Sequence, residues 1–123
     1  MILKGLTLPN AQWRLYTPEE EAAILYLKPT SLLILGYPGS PLLDQKVAQE
    51  ARLWEALARP QVLLRPYAEG IPTFDPRVWA ATCLKLVKRY QAYGMAPELI
   101  PSNEWNIEGG GTDWQRCAQW HIT

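Results

Sequence analysis

Short, nearly uninterrupted apolar runs recur along this chain about every 30 residues, a spacing typical of βα units. They are "ILKGLTL" at 2–8, "SLLILGYPG" at 31–39, "QVLLRPY" at 61–67 and a shorter run opening "PELIPSNEWNIE" at 97–108. Each is bounded by Pro, Gly, Asn or Ser, as expected of strands covered by other elements. Between them lie longer segments in which apolar positions fall three or four apart, the period of a helix with one buried face.

The helical segments carry their own punctuation. "TPEEEAAILYL" opens with Thr17 as N-cap, Pro18 at the first helical position and Glu20 three residues after the cap. That is a capping box, with acidic residues at the positive end of the helix dipole. "SPLLDQKVAQEARLWEALARP" predicts a second helix over 40–60, with Val47, Ala51, Trp54 and Leu57 or Ala58 on one face. Gln45, Gln49, Arg52 and Glu55 fall mainly elsewhere, and Pro60 stops the helix. "DPRVWAATCLKLVKRYQAYG" predicts a third, capped by Asp75 and ended by Gly94. "TDWQRCAQWHIT" begins a fourth, fed by the glycines at 109–111 and capped by Thr112.

Four consecutive βα units with little hairpin signal predict an α/β fold: a parallel sheet with helices outside it, in one domain spanning 1–123. An open doubly wound sheet and a (β/α)8 barrel both fit that alternation, and periodicity does not choose between them.

Composition narrows the partners. Twelve basic residues balance twelve acidic ones, and no basic stripe is present, which argues against nucleic acid or an anionic membrane surface. The longest apolar run is far short of the roughly 20 residues a spanning helix needs. "MILKGLTLPN" lacks an apolar signal core, so the expected location is cytoplasmic, and the opening Met reads as a true start. Cys83 and Cys117 read as buried or half-buried thiols; no cofactor or metal motif is expected. His121 reads as a surface or interface residue rather than a catalytic base. The six tryptophans exceed what a core of this size requires, and such rings often line sites for flat or ring-shaped ligands.

In α/β folds of either kind, ligands meet the C-terminal ends of the strands. Here those ends collect Thr7 to Asn10, then Tyr37 and Pro38, then Arg65, Pro66, Tyr67 and Glu69, and finally Asn103, Glu104, Trp105, Asn106 and Glu108. The ending "SNEWN" after the fourth strand resembles the Asn-Glu motif of clan A glycoside hydrolases, which are retaining (β/α)8-barrel enzymes. The resemblance implies that Glu104 is a general acid/base and Asn103 a hydrogen-bond partner of the sugar 2-hydroxyl. Arg65 could orient catalytic carboxylates, Trp105 and Tyr67 could stack on a pyranose, and Asn106 joins the candidate binding residues. An acid working near neutral pH needs partial burial to raise its pKa, and an apolar strand end beside a Trp provides that.

The resemblance covers the first half of such a barrel only. In that clan the nucleophile comes from the seventh strand, and retaining hydrolysis needs two carboxylates about 5–5.5 Å apart. The expectation is therefore weak or no glycosidase activity for the isolated chain. A half-barrel would also leave two open sheet edges and a wet apolar inner face, including Leu33, Leu35, Leu63 and Ile100. Such surfaces drive association, so a homodimer that closes the barrel is expected, with a carbohydrate as ligand. Two other readings stay open: a non-enzymatic carbohydrate-binding or assembly module, and an unrelated open α/β domain.

Overall fold

In a computed structural model of the chain, residues 3–8, 14–67 and 76–100 are described. Strand β1 (Gly5–Thr7) leads to helix α1 (Pro18–Leu27), strand β2 (Ser31–Gly36), helix α2 (Leu43–Ala56), strand β3 (Gln61–Pro66), helix α3 (Pro76–Gln91) and strand β4 (Glu98–Leu99). The four strands form one parallel sheet in the order β1-β2-β3-β4. No strand is skipped, so among these elements the sheet lacks the reversal of order that defines a doubly wound fold.

The helix ends follow from the residues that flank them. Thr17 accepts from the Glu20 backbone N–H while the Glu20 carboxylate accepts from the Thr17 N–H, so the capping box forms as expected. Helix α2 is shorter than its periodic pattern at both ends. The Leu43 N–H turns back to the Ser40 carbonyl and Ser40 Oγ accepts from the Leu42 N–H, which spends the first residues on a turn. At the far end Ala58 and Arg59 are both left-handed, at φ 62° and 59°, before Pro60. The Arg59 N–H reaches the Trp54 carbonyl at 2.9 Å, so the helix closes on a carbonyl that would otherwise be orphaned. Gly94, at φ 85°, turns the chain out after α3 as expected.

Burial alternates strictly along β2 and β3. Leu32 and Ile34 pair in register with Val62 and Leu64, and all four join one buried cluster. Ile24 of α1, Val47, Ala51, Leu53 and Trp54 of α2, and Leu86 and Tyr90 of α3 belong to the same cluster. All three helices therefore cover one face of the sheet. Ser31, Leu33 and Leu35 of β2, with Leu63 and Arg65 of β3, take the opposite face and are half-buried. The apolar run of β2 thus reads as a strand covered on both sides, yet of its leucines and isoleucine only Leu32 and Ile34 join the buried cluster with the helices. The helix layer packs tightly on Gly36, where an added Cβ would lie 2.6 Å from Leu86 Cδ2.

Candidate functional site

Two groupings of polar and aromatic residues stand out among the described residues, one at the rim where strands end and helices start and one within the helix layer. The first is the rim itself. The Tyr67 N–H donates to the Gly36 carbonyl at 2.7 Å, extending the β2–β3 ladder by one residue. That bond sets Tyr37 and Tyr67 side by side, with ring centroids 5.2 Å apart and planes at 62°, an edge-to-face pair. Arg65 sits one position earlier than Pro66, beside Leu35 in register, on the face away from the helices. The ion pairs among the described residues, such as Arg14–Glu20, Arg52–Glu21, Arg59–Glu55 and Arg89–Asp44, leave Arg65 out.

Strand β4 supplies the other half of the rim. It pairs with β3 through Leu63 with Glu98 and Leu64 with Leu99, and the Ile100 N–H donates to the Leu64 carbonyl at 2.8 Å. On the open face Gln61 Nε2 donates to Glu98 Oε1 at 3.1 Å. The fourth strand therefore stands where the sequence predicts it, immediately before "PSNEWN". Asn103, Glu104, Trp105 and Asn106 lie outside the described residues, as do Asn10, Glu69, Asp75, Glu108, Thr112, Cys117 and His121. Of the candidate site residues, the structure brings Arg65 and Tyr67 to the same strand end.

The second grouping is one that sequence reasoning missed. Glu50, in the middle of α2, is 1% exposed. Its Oε2 accepts from the Tyr16 hydroxyl and its Oε1 from the Tyr90 hydroxyl, both at 2.6 Å. Lys46, one turn earlier on α2 and also buried, holds its Nζ 4.4 Å from the centre of the Tyr16 ring. Gln49 completes the grip on Tyr16, accepting from its N–H at 2.8 Å and donating to its carbonyl at 2.9 Å. Three elements are thereby tied together: the segment leading into α1, helix α2 and helix α3.

The electrostatics follow from that burial. Loss of solvent pushes the Glu50 carboxyl above its ordinary value, although the two tyrosine hydroxyls and the Lys46 charge favour its ionised form. Burial and the neighbouring Glu50 push both tyrosine hydroxyls well up, so they stay protonated and donate. Lys46 is lowered, first by burial, with Glu50 acting in the opposite sense. A small crevice of about 10 Å³, room for about one water molecule, opens beside this group. Gly36, Tyr37 and Ser40 line it from the rim, and Lys46, Glu50 and Tyr90 from the helices.

A signal for this group was present in the sequence. Lys46 and Glu50 are four apart and interleave with Val47, Ala51 and Trp54, so two charged residues stand within the apolar stripe of α2. Charges there must be paired or hydrogen-bonded.

Cys83 is buried and its thiol is pushed up to about 11 by desolvation, which leaves it protonated near neutral pH. Among the described residues no three His, Cys, Asp or Glu side chains are grouped to hold a metal ion, and no helix is long and apolar enough to cross a membrane. No protein-family model, curated protein or solved structure gives a significant match to the chain.

Proposed function

We propose that the chain is the first half of a glycosidase-type (β/α)8 barrel, with a carbohydrate ligand at its rim. The observation that carries the reading is positional: in the sequence the Asn103-Glu104 pair comes within five residues of Leu99, the last residue of the fourth strand of a parallel sheet ordered β1-β2-β3-β4. An unreversed strand order with all three helices on one face is what a barrel requires of its first four units. It weighs against the alternative of an unrelated doubly wound domain.

In this reading Glu104 is the general acid/base and Asn103 binds the sugar 2-hydroxyl. Arg65, on the open face, supplies positive charge beside the carboxylates. Trp105 and Tyr67 give stacking surfaces and Asn106 a further hydrogen bond. The face bearing Leu33, Leu35 and Leu63 becomes the inner wall, completed by four more units. We propose a second copy of the chain as their source, with β4 of each copy meeting β1 of the other. The nucleophile of a retaining enzyme would come from a seventh strand, so the chain alone hydrolyses glycosides weakly or not at all.

A second reading, carbohydrate binding without catalysis, is favoured by one observation: the Tyr37–Tyr67 ring pair is already assembled at the rim. Aryl-glycoside hydrolysis and oligosaccharide binding, measured on the chain and on Glu104→Gln, separate the two. The first reading expects any measurable turnover to fall at least about a hundredfold in Glu104→Gln, the usual scale for a general acid. Equal turnover in the two proteins removes Glu104 from catalysis. Binding that survives in Glu104→Gln and is lost in Trp105→Ala or Tyr67→Ala establishes the second reading. Absence of both binding and turnover contradicts both.

A further inference from the structure

Among the described residues the Arg65 guanidinium takes part in no ion pair, side-chain hydrogen bond or ring contact. Its neighbours on the open face are apolar: Leu35 in register on β2, Leu63 two residues earlier on β3, and Ile100, one step past the Leu64–Leu99 pair. Glu98 is the one carboxylate that the described strands place on this face. It accepts from Gln61 instead, at the end of β3 away from the rim. A half-buried guanidinium among apolar side chains has lost part of its hydration, and an anion brought to it restores that loss.

We propose that the rim takes an acidic sugar, a uronic acid whose ring carboxylate pairs with Arg65 while the sugar ring packs on the Tyr37–Tyr67 pair. This rests on the reading of the rim as a carbohydrate site and names the class of sugar. The bond from the Tyr67 N–H to the Gly36 carbonyl carries the β2–β3 register past Leu35–Arg65, so the two tyrosines stand two residues beyond that pair. Two residues of strand span about 7 Å, a distance that an extended arginine side chain bridges. An edge-to-face pair uses the face of one ring only, and both tyrosines are half-buried rather than enclosed.

Charge and shape then divide the work. A carboxylate offers two oxygens to the fork of N–H donors on a guanidinium, and a hydroxyl of a neutral sugar offers neither the charge nor the second oxygen. The rings add an apolar surface for the sugar, which a bare anion would not use.

The test compares D-glucuronate with D-glucuronamide, the same ring carrying an uncharged group, in NMR titrations read at the Tyr67 backbone amide and the Arg65 Nε–H. The unchanged chain is expected to bind the acid at least about tenfold more tightly, the scale of a hydrogen bond to a charged group. In Arg65→Met, which keeps an unbranched apolar stem, that ratio falls to near one. Equal affinities for acid and amide in the unchanged chain overturn the proposal, and so does a preference that survives in Arg65→Met. Should Arg65→Met not fold, the Arg65 Nε–H signal decides: it must move with glucuronate and stay with glucuronamide, and the same response to both contradicts the pairing. Acetate bound as tightly as glucuronate contradicts the part given to the rings. Glucose and glucuronamide bound as well as the acid contradict the acidic sugar alone; no binding of acid, amide or glucose contradicts the carbohydrate reading with it.

Discussion

The two faces of the sheet are made from the same kind of residue and have different fates. Leu32, Ile34, Val62 and Leu64 lie against three helices and are almost wholly removed from water. Leu33, Leu35 and Leu63 are their immediate neighbours in sequence and stay half-buried. Alternation along a strand sends successive side chains to opposite faces, so one apolar run serves two surfaces. Both faces of β2 are apolar, and among the described residues the helices bury one of them fully and leave the other half-exposed.

That contrast predicts a graded response to substitution. Leu64→Ala removes a fully buried side chain from the helix-covered face and should cost about 2–5 kcal/mol of unfolding free energy. Leu63→Ala, next along the strand but on the open face, should cost only about 1 kcal/mol in a monomer. Paired denaturant melts check both. A Leu63→Ala cost as large as that of Leu64→Ala in a verified monomer would mean that the two faces are equally packed.

Gly36→Ala sharpens the picture at a place where the helix layer packs tightly on the sheet. Its new methyl would lie 2.6 Å from Leu86 Cδ2 and 3.2 Å from Leu64 Cδ1. Leu86 is itself buried and has little room to move, so a loss of about 1–3 kcal/mol is expected from overpacking. Calorimetric melting shows the effect, and an unchanged midpoint would mean that α3 packs farther from β2.

The smallest effect belongs to the rim of the covered side, at the start of α1. The Arg14 guanidinium, then the Thr17 backbone, lowers the Glu20 carboxyl to about 2. A lowered folded-state pKa stabilises the fold above the unfolded value of 4.5, and that contribution is lost as pH falls from about 4.5 to about 2. Glu20→Gln should flatten the acid limb of the stability profile in that window, through a small loss of stability at neutral pH and little change below about pH 2. An acid limb of unchanged slope would show that Glu20 contributes nothing to acid sensitivity.

Much of this architecture was legible in the residues. Thr17, Pro18 and Glu20 specify the start of α1 because capping chemistry is local. The parallel sheet followed from strand spacing. The limits of α2 were less legible: the turn at Ser40 and the left-handed pair Ala58–Arg59 compete with helical periodicity over a few residues. The rim at Arg65 and Tyr67 could be read from strand ends, although nothing in the spacing reported the Tyr37–Tyr67 ring pair. Lys46 and Glu50 stand out within the apolar stripe of α2, but the partners of Glu50 were hidden for a physical reason. Its partners, Tyr16 and Tyr90, lie 34 and 40 residues away in sequence, and only tertiary packing makes a charged residue at that position tolerable.

In the proposed half-barrel the face bearing Leu33, Leu35 and Leu63 is the inner wall, and a second copy completes it. Light scattering across a concentration series tests it most directly, run with Leu33→Lys alongside the unchanged chain. The expected mass is twice the 14.0 kDa of the chain, falling to the monomer in the charged variant. A stable monomer of the unchanged chain at every concentration would contradict it.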